Sequence, residues 1–315
     1  MLSRVADSLY WLSRYLERAE HTTRLTSVYF DLILDQSSRM GGDRYQRLLK
    51  NIHATEYQNL PFDEETTISL LVLDRKNPWS VVSSINQARE NARQVREQIS
   101  SELWMQINQL YLMMSPPYDA WENQPQMLMQ QLIQHLYLIG GIADATMSHN
   151  EGWQFMQLGR YSERANSILR LVDIHFEAVI GRPPQAEDHM DWIALLKSCT
   201  AFEAYCNVYT ADLTTARIAE FLLLNAEFPH SLHFSINMMR QALKQIAIIT
   251  QSHRNQELNR RAGRLQSVLQ FSQIDEVLAD GLHDFLKGIQ QQSQAIHDTV
   301  YQVYITFPVV EELPI

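Results

Sequence analysis

The sequence of 315 residues contains little glycine, little proline and almost no cysteine. Ten glycines and ten prolines leave long segments without a helix breaker, and apolar residues recur at spacings of three and four. This pattern predicts an all-α fold. The two cysteines, Cys199 and Cys206, lie seven residues apart on what the periodicity predicts to be one helix face, too distant for a ready disulfide bond. We therefore predict reduced thiols in a cytoplasmic protein.

Basic residues are also too few to make the chain cationic. The 26 lysines and arginines face 36 aspartates and glutamates, so the formal net charge is −10. This balance argues against a general nucleic-acid or anionic-membrane binder, although local basic pockets are compatible with it. No apolar run approaches the length of a membrane span, and Arg4 and Asp7 interrupt the apolar pattern of the N-terminus. Neither a membrane segment nor a secretory signal is predicted.

What the sequence does contain is an internal repeat. Residues 12–25 and 158–171 are identical at eight of fourteen positions at a constant offset of 146, where unrelated sequences would share about one. Further matches follow at offsets of 147 and 151. We predict a helical bundle of two tandem pseudo-symmetric repeats, residues 1–145 and 146–315, packed into one compact domain. The last residues, 307–315, lack a helical period and are predicted to form an extended tail.

The repeat also gives the first expectations about local structure. The first helix is predicted over residues 2–35 and its copy over residues 149–180. Ser148 and Glu151 have the spacing of a capping box at the start of the copy. The glycine pair at 140–141 is predicted to mark the joint between the halves.

The repeated segment carries a charged stripe. Arg14, Glu17 and Arg18 lie at i, i+3 and i+4, which places their side chains along one side of a helix. Arg89 and Arg93, with Glu90 beside them, form a second stripe in the first half. The candidate ligand-binding residues are Arg14, Glu17, Arg18, Arg89, Glu90, Arg93, Arg160, Glu163 and Arg164.

Three interpretations of the repeated stripe remain open. It could form solvated ion pairs within each helix, which contribute only a few tenths of a kcal/mol. It could form a buried network in which each glutamate binds the arginines of the other half, because buried charges must be paired. It could also form an anion site in which guanidinium groups face a cleft and the glutamates hold them in position.

Catalytic and metal-binding motifs are missing from the sequence. It contains no HExxH motif, no clustered Cys and His set, no glycine-rich phosphate loop and no nucleophile elbow, so no catalytic residue, metal or cofactor is predicted. An enzyme of amide or peptide chemistry would have to use Glu17, Glu90 or Glu163 as its general base. A glutamate flanked by two arginines should have a lowered pKa, which argues against that role.

The same residues resemble the alpha-E domain proteins, an uncharacterised all-helical bacterial family. The resemblance covers nearly the whole chain. It is carried by residues 1–4, 10–12, 14–20, 74–75, 77–78, 88–93, 102, 104, 151–153, 159–160, 163–165 and 221–223. One departure is His230, where similar members tend to have an arginine after the proline.

The resemblance implies an association with ATP-grasp amide ligases of a circularly permuted type, with transglutaminase-like proteins and with a proteasome-like peptidase. We therefore expect a helical accessory or binding component of a system for peptide or amide-bond synthesis or modification. Its partner would be the ligase, and its ligand would carry a carboxylate or phosphate group, as an acidic peptide or a nucleotide does. An enzyme with a glutamate base and a purely structural scaffold are the alternatives.

Overall fold

A computed structural model describes residues 1, 3–34, 41–61, 63–116, 124–179, 188–210, 212–250 and 256–305. Within these ranges the chain forms fourteen α-helices and no strand, which confirms the all-α prediction. The predicted tail at 307–315 lies outside the described residues. The helices are α1 Ser3–Leu34, α2 Gly41–Asn51, α3 Glu64–Ile68, α4 Val81–Gln94, α5 Ser101–Met113, α6 Pro125–Thr146, α7 Glu151–Glu177, α8 Asp188–Ser198, α9 Phe202–Tyr209, α10 Thr215–Leu224, α11 Leu232–Thr250, α12 Gln256–Phe271, α13 Ile274–Asp280 and α14 Leu282–Val300.

Helices α1 and α7 form the centre of the fold and run side by side in the same direction. The amino group of Met1 lies 3.0 Å from a carboxylate oxygen of Glu151, and further along Arg14 contacts Glu163. Both helices are surrounded by neighbours, so that apolar residues such as Leu12 and Leu171 are completely buried. The repeated charged stripe is carried by these two helices, and it therefore lies in the interior.

A glycine lets the two central helices approach closely. A Cβ atom at Gly159 would lie only 2.1 Å from the backbone carbonyl oxygen of Tyr10. Backbone atoms cannot move aside as a flexible side chain can, so no larger residue fits at this crossing.

The outer helices pack on the central pair in a matching order. Helix α1 packs on α4 and α6, whereas α7 packs on α11 and α14; α5 then joins α4 to α6, as α12 joins α11 to α14. Helix α8 repeats the bounds of α2 at an offset of 147, and α11 starts 151 residues after α4. These correspondences support a duplication, but the two-repeat organisation and its boundary near residue 145 stay predictions.

Three local predictions were wrong. Helix α7 begins at Glu151, but its cap is Asn150, whose side chain accepts a hydrogen bond from the backbone nitrogen of Trp153 at 3.3 Å, so Ser148 does not form a capping box. The glycine pair at 140–141 lies inside α6 and does not mark a joint. The two cysteines are free, but Cys199 follows α8 while Cys206 belongs to α9, so they do not share a helix.

Candidate functional site

The glutamate of the second repeated stripe binds two arginines of the first. Glu163 accepts hydrogen bonds from Nε of Arg14 at 2.7 Å and from Nε of Arg18 at 2.7 Å, one on each carboxylate oxygen. A terminal nitrogen of Arg14 lies 2.6 Å from the same oxygen that its Nε contacts. The carboxylate is therefore saturated by guanidinium donors from α1.

The glutamate of the first stripe makes the reciprocal contact. Nε and Nη2 of Arg164 donate to the two oxygens of Glu17 at 2.5 and 2.9 Å. The third nitrogen of Arg164 donates to the backbone carbonyl of Pro229 at 3.1 Å. The buried-network interpretation is the one that the geometry shows, because each glutamate binds arginine of the other central helix.

Burial makes this network electrostatically strong. Glu17 and Glu163 are only 6% and 5% exposed, so the solvated ion-pair interpretation is wrong for the central stripes. Burial alone would raise the pKa of Glu163, but Arg14 and Arg18 outweigh it and lower the pKa to about 2. Burial likewise lowers the pKa of Arg164, but Glu17 and its hydrogen bonds outweigh it and raise the pKa above the usual range. Glu163 and Arg164 therefore stay ionised at any physiological pH.

Arg160 does not bind a glutamate of the described ranges, although its counterpart in the first half, Arg14, does. No hydrogen bond or salt bridge of Arg160 occurs in the described part of the chain, and its guanidinium lies beside Gly140, where a Cβ atom would be 3.2 Å from Nη2. Next to it, Arg24 reaches Glu20 at 3.4 Å. Burial and the neighbouring Glu17 raise the pKa of Glu20.

A small polar cavity lies beside Glu20 and Arg24. Its free volume is about 20 Å³, room for about one water molecule. The lining side chains include Glu17, Glu20, His21, Arg24, Arg164 and His230. Burial and nearby arginines lower the pKa of His21 to about 3 and that of His230 well below its usual value. His230 is therefore neutral and does not replace the positive charge of an arginine at this position.

On the other side of the central pair, arginines and aromatic rings gather without a recognisable motif. The guanidinium carbon of Arg18 lies 4.3 Å from the ring centre of Trp79, and that of Arg170 lies 6.0 Å from it. The ring of His53 packs on Trp79 with centres 4.5 Å apart. We call Arg18, His53, Trp79 and Arg170 the Trp79 cluster. The sequence points to Arg18 as a candidate and shows that Arg170 repeats Arg24, but it does not bring the four residues together, because they come from four different segments.

The second predicted stripe is partly exposed and lies apart from the first. Nη1 of Arg89 donates to Glu90 at 2.9 Å, and Nη2 of Arg93 donates to the same carboxylate at 2.7 Å. Arg89 also lies 4.3 Å from the ring centre of Tyr111. Arg93 and Glu90 are 62% and 44% exposed in their side chains. Among the described residues no hydrogen bond or salt bridge joins this stripe to the central network, so the structure places the candidate residues in two places. Their role in ligand binding stays a prediction.

Neither a metal centre nor a membrane-spanning helix is recognisable among the described residues. Within those ranges no group of three or more His, Cys, Asp or Glu side chains could hold a metal ion. None of the helices in the described ranges has both the length and the apolar character that crossing a membrane requires.

The fold and the reciprocal contacts define an all-α protein in which two Glu–Arg dipeptides, one on each of the parallel central helices, join these helices to each other. The dipeptides, Glu17-Arg18 and Glu163-Arg164, are the only Glu–Arg sequences in the chain. The chain belongs to the Alpha-E family, described as a predicted α-helical domain with a conserved ER motif, whose model matches residues 1–305.

Similar proteins are uncharacterised. Proteins of Mycobacterium bovis and of the CDC 1551 and H37Rv strains of Mycobacterium tuberculosis are each 25% identical to the chain. The match covers 97% of this chain but only 37% of each of those proteins, so the chain spans little more than a third of their length. No solved structure matches the chain.

Proposed function

We propose that the protein is a helical accessory component of an ATP-grasp-linked system for peptide or amide-bond synthesis or modification. It binds the ligase, or a ligand bearing a carboxylate or phosphate group, and does not carry out the reaction itself. The observation that carries this proposal is the reciprocal binding of Glu17 and Glu163 by arginines of the opposite helix. The two glutamates of the repeated motif thereby serve the fold, and binding falls to guanidinium groups that keep donors unpaired within the described ranges or lie on the surface.

The length of the relatives supports an accessory role. In the mycobacterial proteins the matched region occupies 37% of a longer chain, so it is joined there to other polypeptide. A region that occurs fused to a larger protein is suited to acting in contact with a partner. The identity of that partner as an ATP-grasp ligase comes from the family resemblance.

The properties of Glu163 and Glu17, the buried candidates for a general base, argue against the enzyme alternative. Glu163 has a pKa of about 2, so it is a poor proton acceptor at neutral pH. Both carboxylate oxygens of Glu17 are occupied by Arg164. Glu90 is accessible, but it is paired with two arginines on an open helix surface.

The exposed stripe on α4 is the surface that we assign to the ligase. Arg93 presents a charged, planar guanidinium group to solvent, and arginine is enriched in protein interfaces; Arg89 beside it is half-buried. Because the chain is acidic overall, a local basic stripe offers a distinct contact for an acidic partner surface.

The test is a binding measurement between the purified chain and an ATP-grasp ligase from the same organism. Arg93→Glu should weaken the complex at least about tenfold, because it replaces attraction by repulsion at an interface. Arg260→Glu is the matched control: Arg260 is 61% exposed, like Arg93, and is paired with a glutamate three residues earlier. The proposal fails if neither the ligase nor any carboxylate-bearing peptide binds the unaltered protein.

A further inference from the structure

The two sides of the central helix pair carry different charge balances. On the side of the Trp79 cluster, three arginines surround a single glutamate: Arg14, Arg18 and Arg170 around Glu163. On the opposite side, three arginines lie near two glutamates. These groups are Arg24, Arg160, Arg164, Glu17 and Glu20. The side of the Trp79 cluster therefore has a formal excess of two positive charges.

One position accounts for the difference. Glu20 lies four residues before Arg24 and reaches its guanidinium, whereas Asn166 lies four residues before Arg170 and has no charge. Asn166 accepts a hydrogen bond from the hydroxyl of Ser293 at 3.5 Å. Arg170 is thus the counterpart of a paired arginine, but its own carboxylate is missing.

The excess charge comes with unused hydrogen-bond donors. Arg14 uses Nε and Nη2 on Glu163 and Nη1 on the hydroxyl of Tyr10 at 3.3 Å. Arg18 contacts Glu163 through Nε, and its two terminal nitrogens have no partner in the described ranges. Arg170 donates from Nη1 to the backbone carbonyl of Asn51 at 2.6 Å and contacts no carboxylate among the described residues. Because a guanidinium has five N–H donors, most of those on Arg18 and Arg170 make no hydrogen bond within the described ranges, although the side chain of Arg18 is only 13% exposed.

Solvent can reach this cluster through His53. That residue is exposed, while Trp79 and Arg170 are half-buried. Burial of part of its ring, together with Arg170 and Arg18, lowers the pKa of His53 to about 4. The imidazole is therefore neutral near pH 7 and offers one N–H donor beside the positively charged Arg170 and Arg18.

His53 has a backbone conformation that glycine would adopt more easily. His53 has a φ of 54° and follows α2 in the left-handed conformation, with Ala54 N bonded to Leu49 O at 2.9 Å. Glycine is the usual residue at this position of a helix end. Thr200, the counterpart of His53 at offset 147, has the same backbone conformation with a φ of 51° but no imidazole.

We propose that Arg18, Arg170 and His53 form a binding site for a dianionic phosphoryl group. A phosphate monoester carries a charge of about −1.5 to −2 at neutral pH and three acceptor oxygens, which match the excess charge and the free donors. A carboxylate supplies half of that charge and fewer acceptors. The proposal rests on the proposed binding role and assigns it a ligand class and a place in the fold.

Titration of the full chain with inorganic phosphate tests the site, with the imidazole signals of His53 followed by nuclear magnetic resonance. Bound phosphate should raise the pKa of His53 towards its usual value of about 6.5. Arg170→Gln should weaken binding about tenfold or more, because it removes a charged hydrogen bond. Asn166→Asp, which keeps the side-chain shape, should weaken binding similarly by supplying the missing carboxylate. Arg264→Gln, on the exposed side of α12, should change nothing.

Two substitutions by glycine, His53→Gly and Thr200→Gly, distinguish an effect on binding from an effect on folding. His53→Gly should leave the melting temperature unchanged or higher, because it removes a left-handed side chain. It should also weaken phosphate binding by about 2- to 10-fold, the effect of one neutral hydrogen bond. Thr200→Gly makes the same backbone change in the other half and should leave phosphate binding unaltered.

The source of the phosphoryl group is distinguished by comparing inorganic phosphate with AMP and with acetyl phosphate. Tighter binding of AMP indicates a nucleotide, tighter binding of acetyl phosphate indicates an acyl phosphate, and either supports the site. Binding that Arg170→Gln and Asn166→Asp leave unchanged would overturn the proposal, as would a lack of saturable binding at millimolar concentrations. Because the ligase measurement contains no phosphate, this result is separate from the outcome for the proposed function.

Discussion

Replacing Glu163 by glutamine removes one buried charge and keeps the size of the side chain. In the folded protein Arg14 and Arg18 outweigh the effect of burial and lower the pKa of Glu163 from its ordinary 4.5 to about 2. This difference corresponds to about 3 kcal/mol of stabilisation of the folded state above the ordinary pKa. Removing one partner of a buried ion pair usually costs about 3–5 kcal/mol, because the other partner is left unpaired. We expect Glu163→Gln to lower the free energy of unfolding by about 3–4 kcal/mol at neutral pH.

The effect should depend on pH with a definite sign. A carboxylate whose pKa is lowered by folding contributes its full stability above its unfolded pKa, and this contribution is lost as the pH falls to the folded value. For Glu163 this window extends from about pH 4.5 down to about pH 2. The stability difference between the unaltered protein and Glu163→Gln should therefore be constant above about pH 5 and shrink steadily below it.

Urea unfolding followed by far-ultraviolet circular dichroism measures this difference in stability. The comparison requires that the free energy of unfolding falls with urea concentration at the same slope in both proteins. Glu90→Gln is the matched control, since Glu90 also binds two arginines but is 44% exposed. Its loss should be below about 1 kcal/mol. The reasoning is refuted if the two variants lose similar stability, or if acidification to about pH 3 leaves the loss at Glu163 undiminished.

Two further predictions concern packing and thiol chemistry. Gly159→Ala should destabilise by at least about 3 kcal/mol, because the added methyl group meets the backbone of Tyr10; Gly263→Ala, a helical position with open space, should instead stabilise by up to about 1 kcal/mol. Equal melting temperatures for the two variants would contradict this account of the helix crossing. Burial raises the pKa of Cys199 to about 12, so a thiol reagent near pH 8 should modify half-buried Cys206 in the folded protein and reach Cys199 only after unfolding. Modification of both thiols at equal rates would refute it.

The central part of the fold could be predicted because its sequence pattern occurs twice in the chain. Helix spans of 2–35 and 149–180 agree closely with α1 and α7, since both segments have strong apolar periodicity. The identical Glu–Arg pairs also suggested a shared structural role. Choosing between a buried network and an open cleft required the structure, because both use the same residues at the same spacing.

The details that failed depend on competition between neighbouring groups. Ser148 and Asn150 are both good caps, and the sequence does not show which one the chain places at the helix end. The glycines at 140–141 were interpreted as a break, but inside α6 the first of them allows Arg160 to approach. The Trp79 cluster could not be predicted, because it depends on how four separate segments meet.

The most direct test of the central claim is a double-mutant cycle between Glu17 and Arg164, measured by urea unfolding. These residues are 147 positions apart, whereas Arg18 is the sequence neighbour of Glu17 and binds Glu163 instead. The account predicts a coupling of at least about 2 kcal/mol between Glu17→Gln and Arg164→Met, and a coupling below about 0.5 kcal/mol between Glu17→Gln and Arg18→Met. Strong coupling within the Glu17–Arg18 pair and none to Arg164 would contradict it, because the motif would then act within one helix.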